Sequence, residues 1–139
     1  MIRYCESISG VTANDLRGFF VGWPNPPSSE THLRLLKGSD RVVLAVEDES
    51  GKVVGFITAI TDGVLSAYLP LLEVLPEYQG RGIGTELVRR MLAIFGNLYM
   101  VDGVCDRALQ PFYERFEMKA AVGMMIRRFD RQSGSGGGE

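Results

Sequence analysis

Seven consecutive residues, Gln79-Gly80-Arg81-Gly82-Ile83-Gly84-Thr85, have the types and spacing to hold an anion. Three glycines in five positions let the backbone turn tightly and approach a ligand without Cβ atoms in the way. The stretch joins an apolar run ending near Val74 to a segment of helical periodicity that begins near Gly84. The free amides of that helix's first turn, and the positive end of its dipole, would face whatever fills the turn. The expected ligand carries phosphate. A P-loop is disfavoured because it ends in Gly-Lys-Ser/Thr, which is absent. The dinucleotide fingerprint is disfavoured because Thr85 stands where its third glycine belongs.

The spacing that does fit is Gln/Arg-x-x-Gly-x-Gly/Ala, here Gln79, Gly82 and Gly84, preceded by Leu72-x-Val74-x-Pro76-Glu77-Tyr78. Strand, proline turn, glycine loop and helix occur in the order of the acetyl-CoA signature of the GCN5-related N-acetyltransferase (GNAT) superfamily, which the chain resembles. A second stretch, Pro111-Phe112-Tyr113-Glu114-Arg115-Phe116, looks like that family's helix ending in Tyr-Glu-Lys-Leu-Gly-Phe. The resemblance implies acetyl transfer from acetyl-CoA, as cosubstrate, to a primary amine of a small molecule or protein. It implies that the amides from Gln79 to Thr85 (Gly80, Arg81, Gly82, Ile83 and Gly84 between them) meet the pyrophosphate, assisted by the Thr85 hydroxyl and Arg81. Leu72 and Val74 would lie beside the pantetheine through their backbone groups. Tyr113 would be the general acid for the departing thiolate. A phenol suits that task because it is protonated at neutral pH and can donate as charge develops on sulfur.

Two positions depart from the family pattern. Asp106 stands where an asparagine is frequent, and it could instead cap the following helix. Glu117 replaces the glycine after the helix, where a left-handed turn is less favourable without one. A base, if one is used, could be Glu73, Asp102 or Tyr68 acting through water. His32, the only histidine, is expected as an exposed imidazole on a surface helix, and no metal site is expected. Trp23 and its neighbouring prolines occupy the segment that walls the acceptor site in this family. Two other readings stay open: a non-catalytic acyl-CoA-binding regulatory module, which has no need of Tyr113, and a nucleotide-binding α/β protein.

The elements that must position these groups follow from periodicity and turn chemistry. Ile2 to Ser7 reads as a strand, Thr12 to about Phe20 as a capped helix, Trp23 to Pro27 as a loop, and Ser28 or Ser29 to Lys37 as a second helix stopped by Gly38. Arg41 to Glu47, Lys52 to Thr61 and Val64 to Leu75 read as three antiparallel strands, with a bulge or unpaired stretch at Pro70. Leu87, Val88, Met91, Leu92 and Phe95 mark one face of the helix after the glycine loop. A short strand over Leu98 to Val104, a helix over Ala108 to Phe116 containing Pro111, and a final strand over Met124 to Phe129 complete the order. The expected architecture is one α/β domain over residues 1–131, with a mixed, mostly antiparallel central sheet flanked by helices, followed by a flexible Gly/Ser tail over 132–139.

Composition agrees with one core: 139 residues, 45% of them hydrophobic. A net charge of −2 with interspersed signs provides no basic stripe for nucleic acid and no polybasic segment for a membrane. The N-terminus lacks a signal-peptide apolar region, so a cytoplasmic protein is expected, with Cys5 and Cys105 as buried thiols. An edge strand could support a homodimer.

Overall fold

The computed structural model describes residues 1–134. One sheet carries the strands β1 (Ile2–Cys5), β2 (Arg41–Glu47), β3 (Val53–Thr61), β4 (Ser66–Tyr68), β5 (Leu72–Val74) and β6 (Met100–Asp102). Its order is β1-β2-β3-β4-β6, with β5 also paired to β3. Among the described residues only the β4–β6 pair is parallel. Three helices flank it: α1 (Ser29–Gly38), α2 (Ile83–Ile94) and the short α3 (Gln110–Glu114). This is the mixed, mostly antiparallel α/β sheet that the sequence predicts.

Each face of the sheet has its own core, because alternate strand residues point to opposite sides. Val43 and Ala45 of β2 join Val54, Ile57 and Ala59 of β3 under Ile83, Leu87, Val88 and Met91 of α2. Val42, Leu44 and Val46 join Val53 and Phe56 under Leu16, Phe20 and Leu36 on the other side. A bulge in β3 breaks the alternation once: Ala45 pairs Gly55 while Val46 pairs Val53, leaving Val54 unmatched. As a result Val54 and Gly55 both face α2. A Cβ on Gly55 would stand 3.1 Å from Leu87 Cδ1 and 3.2 Å from Ile83 Cγ2, so this glycine sets how closely α2 seats on the sheet.

The expected third strand is interrupted as Pro70 requires. β4 pairs β3 through Ile60↔Tyr68, while β5 pairs it through Ile57↔Leu72, a one-residue shift in register across Leu69–Leu71. β6 follows β4 as far as the Leu69 amide, which donates to the Asp102 carbonyl at 2.9 Å. Beyond that point β5 has β3 on one side only.

Helix α1 starts where expected, with the Ser28 hydroxyl accepting from the Thr31 amide, a cap that contributes about 1 kcal/mol. Three expectations fail. Thr12 to Phe20 is a single 3-10 turn, Ala13–Leu16, and not a helix. Asp15 holds the Thr12 amide and hydroxyl, but Gly18 and Phe20 are left-handed (φ 97° and 64°), and the Phe20 amide bonds Glu73 rather than the preceding turn. Met124 to Phe129 is not a strand, since residues 118–128 have no partner strand among the described residues. Cys5 and Cys105 are half-exposed rather than buried. Of the tail, Gln132 and Gly134 touch the body through Asn25 and Arg34. Residues 135–139 of that expected tail lie outside the described residues.

Candidate active site

The glycine stretch forms a cradle at the mouth of α2. Gly80 and Gly82 are left-handed (φ 80° and 82°), and a Cβ on either would enter open space. Gly82 caps α2, and its carbonyl accepts the Glu86 amide at 3.0 Å. The amides of Ile83, Gly84 and Thr85 precede that first helical bond and point out of the helix end. Ile83 is the anchor: its side chain is buried against Gly55 while its amide faces the mouth. Gly84 has an ordinary helical backbone, and a Cβ there would make only van der Waals contacts, 3.8 Å to Val74 and 3.9 Å to Phe112.

Side chains around the cradle are held in defined ways. Gln79 reaches back, its Nε2 donating to the Val74 carbonyl at 3.0 Å. Arg81 folds over the Tyr78 ring and donates to the Glu77 carbonyl. Thr85 accepts a hydrogen bond from Arg115 Nη2 at 2.5 Å. Arg115, which stacks near Phe112 and Phe116, brings a second guanidinium to the cradle. In the sequence it stands within the Pro111–Phe116 stretch with no role assigned, and its only signal is a position two residues after Tyr113.

Beside the cradle, β5 exposes one edge. Thr58 N–H donates to the Leu71 carbonyl and Leu75 N–H donates to the Val54 carbonyl, so residues 71, 73 and 75 turn their polar backbone groups toward β3. Leu72 and Val74 therefore turn theirs to the open side, where Val74 O already accepts from Gln79. Backbone free to accept or donate is brought next to the anion cradle by one bulge and one proline.

Tyr113 lies on α3, where Pro111 occupies the first turn after a 3-10 turn over Arg107–Leu109. It is half-buried against the α2-side core and contacts Phe112 edge to face at 4.9 Å. Burial, with a smaller contribution from Cys105, pushes its phenol above the usual value, so it is fully protonated at neutral pH. Asp106 precedes the 3-10 turn, but its side chain makes no capping bond. Glu117 ends the α3 region with φ 66°, the left-handed turn expected to favour glycine.

The opposite face of β5 holds a second group of residues. Glu73 accepts from the Phe20 amide at 2.8 Å and the Val21 amide at 3.2 Å, tying the Phe20–Trp23 loop to the strand. Glu73, Phe20, Trp23, Phe56, Leu72 and Gln79 line a cleft of about 330 Å³. Of the three candidate bases only Glu73 is in this cleft. Tyr68 and Asp102 are paired neighbours on β4 and β6.

His32 contradicts its expected exposure. It is 1% exposed and lies between Phe19, Phe20 and Phe56, with ring centroids 5.3, 4.9 and 4.4 Å away. Neither ring nitrogen has a hydrogen-bond partner among the described residues, and burial lowers its pKa from 6.5 to about 4. The available signal was its i, i+4 spacing to buried Leu36.

A mixed sheet that opens beside a glycine-capped helix makes this an α/β domain with a ligand-sized gap at β5. Residues 10–118 match the model of the Acetyltransferase (GNAT) family, and the chain belongs to that family. A Deinococcus radiodurans R1 protein assigned as an acetyltransferase is 47% identical, with TM-score 0.92, over 95% of this chain and 92% of that one. A GNAT family acetyltransferase from Streptococcus pneumoniae TIGR4 is 28% identical, with TM-score 0.73, over 92% and 98% of the two chains. Glucosamine-6-phosphate N-acetyltransferase from Arabidopsis thaliana shares the fold at 15% identity and TM-score 0.68, over 94% and 99%. No curated protein sequence matches the chain. Among the described residues, no helix is long and apolar enough to cross a membrane.

Proposed function

We propose that the protein is an N-acetyltransferase that uses acetyl-CoA and a primary amine. The observation that carries this reading is the coincidence of three features on one side of β5: the open edge at Leu72 and Val74, the cradle from Gln79 to Thr85, and Tyr113. The residues fit the cosubstrate, because Gly80 and Gly82 leave open space where any Cβ would stand. Acetyl-CoA, when bound, supplies the acetyl group as an activated thioester.

This chain's residues have separable tasks. The amides of Ile83, Gly84 and Thr85, with Gly80, Gly82 and Arg81 shaping the turn, hold the pyrophosphate through hydrogen bonds and the helix dipole. Arg115 adds charge at Thr85. Leu72 and Val74 offer backbone groups to an amide-bearing arm, as a missing strand would. Tyr113 donates its proton to the leaving sulfur, and its raised pKa keeps that proton available. The cleft behind Glu73 receives the amine. With Glu73 committed to two backbone amides, it serves to position the loop that walls the acceptor. The amine arrives neutral from solution, and the proton its nitrogen sheds as the C–N bond replaces the C–S bond restores the Tyr113 phenol through solvent.

Calorimetric titration with acetyl-CoA tests the cradle. Gly82→Val would confound the result, because φ at Gly82 strains any other residue. Gly84→Glu avoids this: the backbone there is helical, the Cβ has room, and an acidic residue in a first helical turn favours folding. Wild-type binding weakened about 100-fold or more in a folded Gly84→Glu protein is expected, since the introduced carboxylate opposes phosphate. Equal affinity in both proteins would overturn the cradle assignment. Thiol release on mixing acetyl-CoA with a panel of amines then separates the enzyme from a binding module.

A further inference from the structure

The cleft that contains Glu73 has a neighbour. Trp23, Pro27, Leu35 and Leu71 line a second cleft of about 320 Å³, with Gln132 and Gly134 also in its wall. Phe20, Trp23 and Leu71 border both clefts, so the two adjoin across these three side chains. The shared wall is apolar and held in place. The Phe20 and Trp23 ring centroids are 4.8 Å apart, and the Phe20 amide is bonded to Glu73.

Each cleft has one charged side chain in its lining, and the two are opposite in sign: Glu73 in the first, Arg34 in the second. The Glu73 carboxylate disfavours an anion in the first cleft. Arg34 is not neutralised. Among the described residues it forms no ion pair, and its Nη2 donates at 2.7 Å to the Gly134 carbonyl, an uncharged group. A guanidinium set against apolar walls suits a carboxylate, whose two oxygens match its fork of N–H groups. One cation balances one negative charge, which favours a carboxylate over a phosphate dianion. Leu72 and Gln79 border the first cleft and not the second, so the reacting nitrogen belongs in the first, beside the open edge of β5.

Resting on the acetyltransferase reading, we infer that the acceptor is an extended amino acid. Its primary amine occupies the first cleft, an aromatic or branched apolar body lies along Phe20, Trp23 and Leu71, and a carboxylate at its far end pairs with Arg34.

Ligand-observed NMR titration of the intact protein tests this without turnover. The probes are para-(aminomethyl)benzoate, para-(aminoethyl)benzoate and para-(aminopropyl)benzoate, each beside the uncharged benzamide of the same shape. At the length that fits, the benzoate is expected to bind about tenfold or more tighter than its benzamide. Arg34→Gln is expected to erase that difference, and Arg34→Lys to keep part of it. Loss of the Gly134 contact alone would weaken both members of a pair alike. Phenylalanine, with its carboxylate on the amine-bearing carbon, is expected to bind no tighter than phenethylamine, and tyramine O-phosphate less tightly than the best benzoate. Equal affinity within every pair, no binding by any probe, a preference that survives Arg34→Gln, or tighter binding of phenylalanine or the phosphate would each overturn the inference. Absence of acetyl-CoA binding by the same protein would overturn the acetyltransferase reading, which the pairwise preference does not report.

Discussion

The two faces of the sheet are built by different means. The α2 face presents backbone: glycine turns, helix-end amides and the unpaired side of β5. The other face presents side chains brought together from remote segments, with Glu73 holding the Phe20 and Val21 amides across more than fifty residues of sequence. Four aromatic rings, those of Phe19, Phe20, His32 and Phe56, pack together there. A cosubstrate common to a family can be held by backbone, which any compatible sequence supplies. A particular acceptor calls for side chains, and side chains vary.

This division makes predictions that could break it. The largest effect is expected for Tyr113→Phe, with turnover reduced about 100-fold or more and acetyl-CoA affinity within about twofold, because only a transition-state interaction is lost. Loss of affinity in parallel would show that the phenol belongs to binding. Glu73→Ala strands two amides on the other face and is expected to cost roughly 1–3 kcal/mol of stability. In steady-state assays the same variant should raise the amine KM, leave the acetyl-CoA dissociation constant unchanged, and be partly rescued by Glu73→Gln. A matched change for both ligands would dissolve the distinction between the faces.

His32 sharpens the comparison through pH. Its folded pKa, about 4, lies below the ordinary 6.5, so between these values the unfolded chain binds the extra proton and the folded chain does not. Stability from this site is complete above pH 6.5 and declines as pH falls toward 4, by roughly 3 kcal/mol in all. Urea midpoints measured from pH 7.5 to pH 4.5 (about one Debye-screened buffer series at constant salt) should show that decline, and His32→Leu should flatten it. The smallest effect is expected for Glu117→Gly, which relieves the left-handed backbone and should stabilise by about 0.5–1 kcal/mol in thermal melts without altering turnover.

What could be read from the sequence follows the same division. Gln79 to Thr85, the α2 stripe and the interruption at Pro70 were legible because glycine, proline and helical spacing each impose a local geometry. The Thr12–Phe20 helix was misjudged because its local cap at Thr12–Asp15 is real, but Gly18 and the distant Glu73 redirect the chain. His32 was misplaced because its i, i+4 spacing to Leu36 marks only a shared helix face, with no local sign that three phenylalanines from remote segments surround it. Arg115 meets Thr85 thirty positions away, a contact that no spacing rule reports. The strand expected at Met124 to Phe129 follows residue preference, whereas forming it requires a partner that preference does not provide.

The alternating orientation of β5 carries its own isotopic signature. In the free protein, the Leu75 amide, bonded to Val54, should exchange with deuterium slowly, and the Glu73 amide, facing β3, should do likewise. The amides of Leu72 and Val74, facing the opening, should exchange fast. A ligand that completes the strand would slow this second pair and leave the first nearly unchanged. Residue-resolved exchange would thus reveal occupancy of the site, even for an acceptor not yet found and without a single turnover.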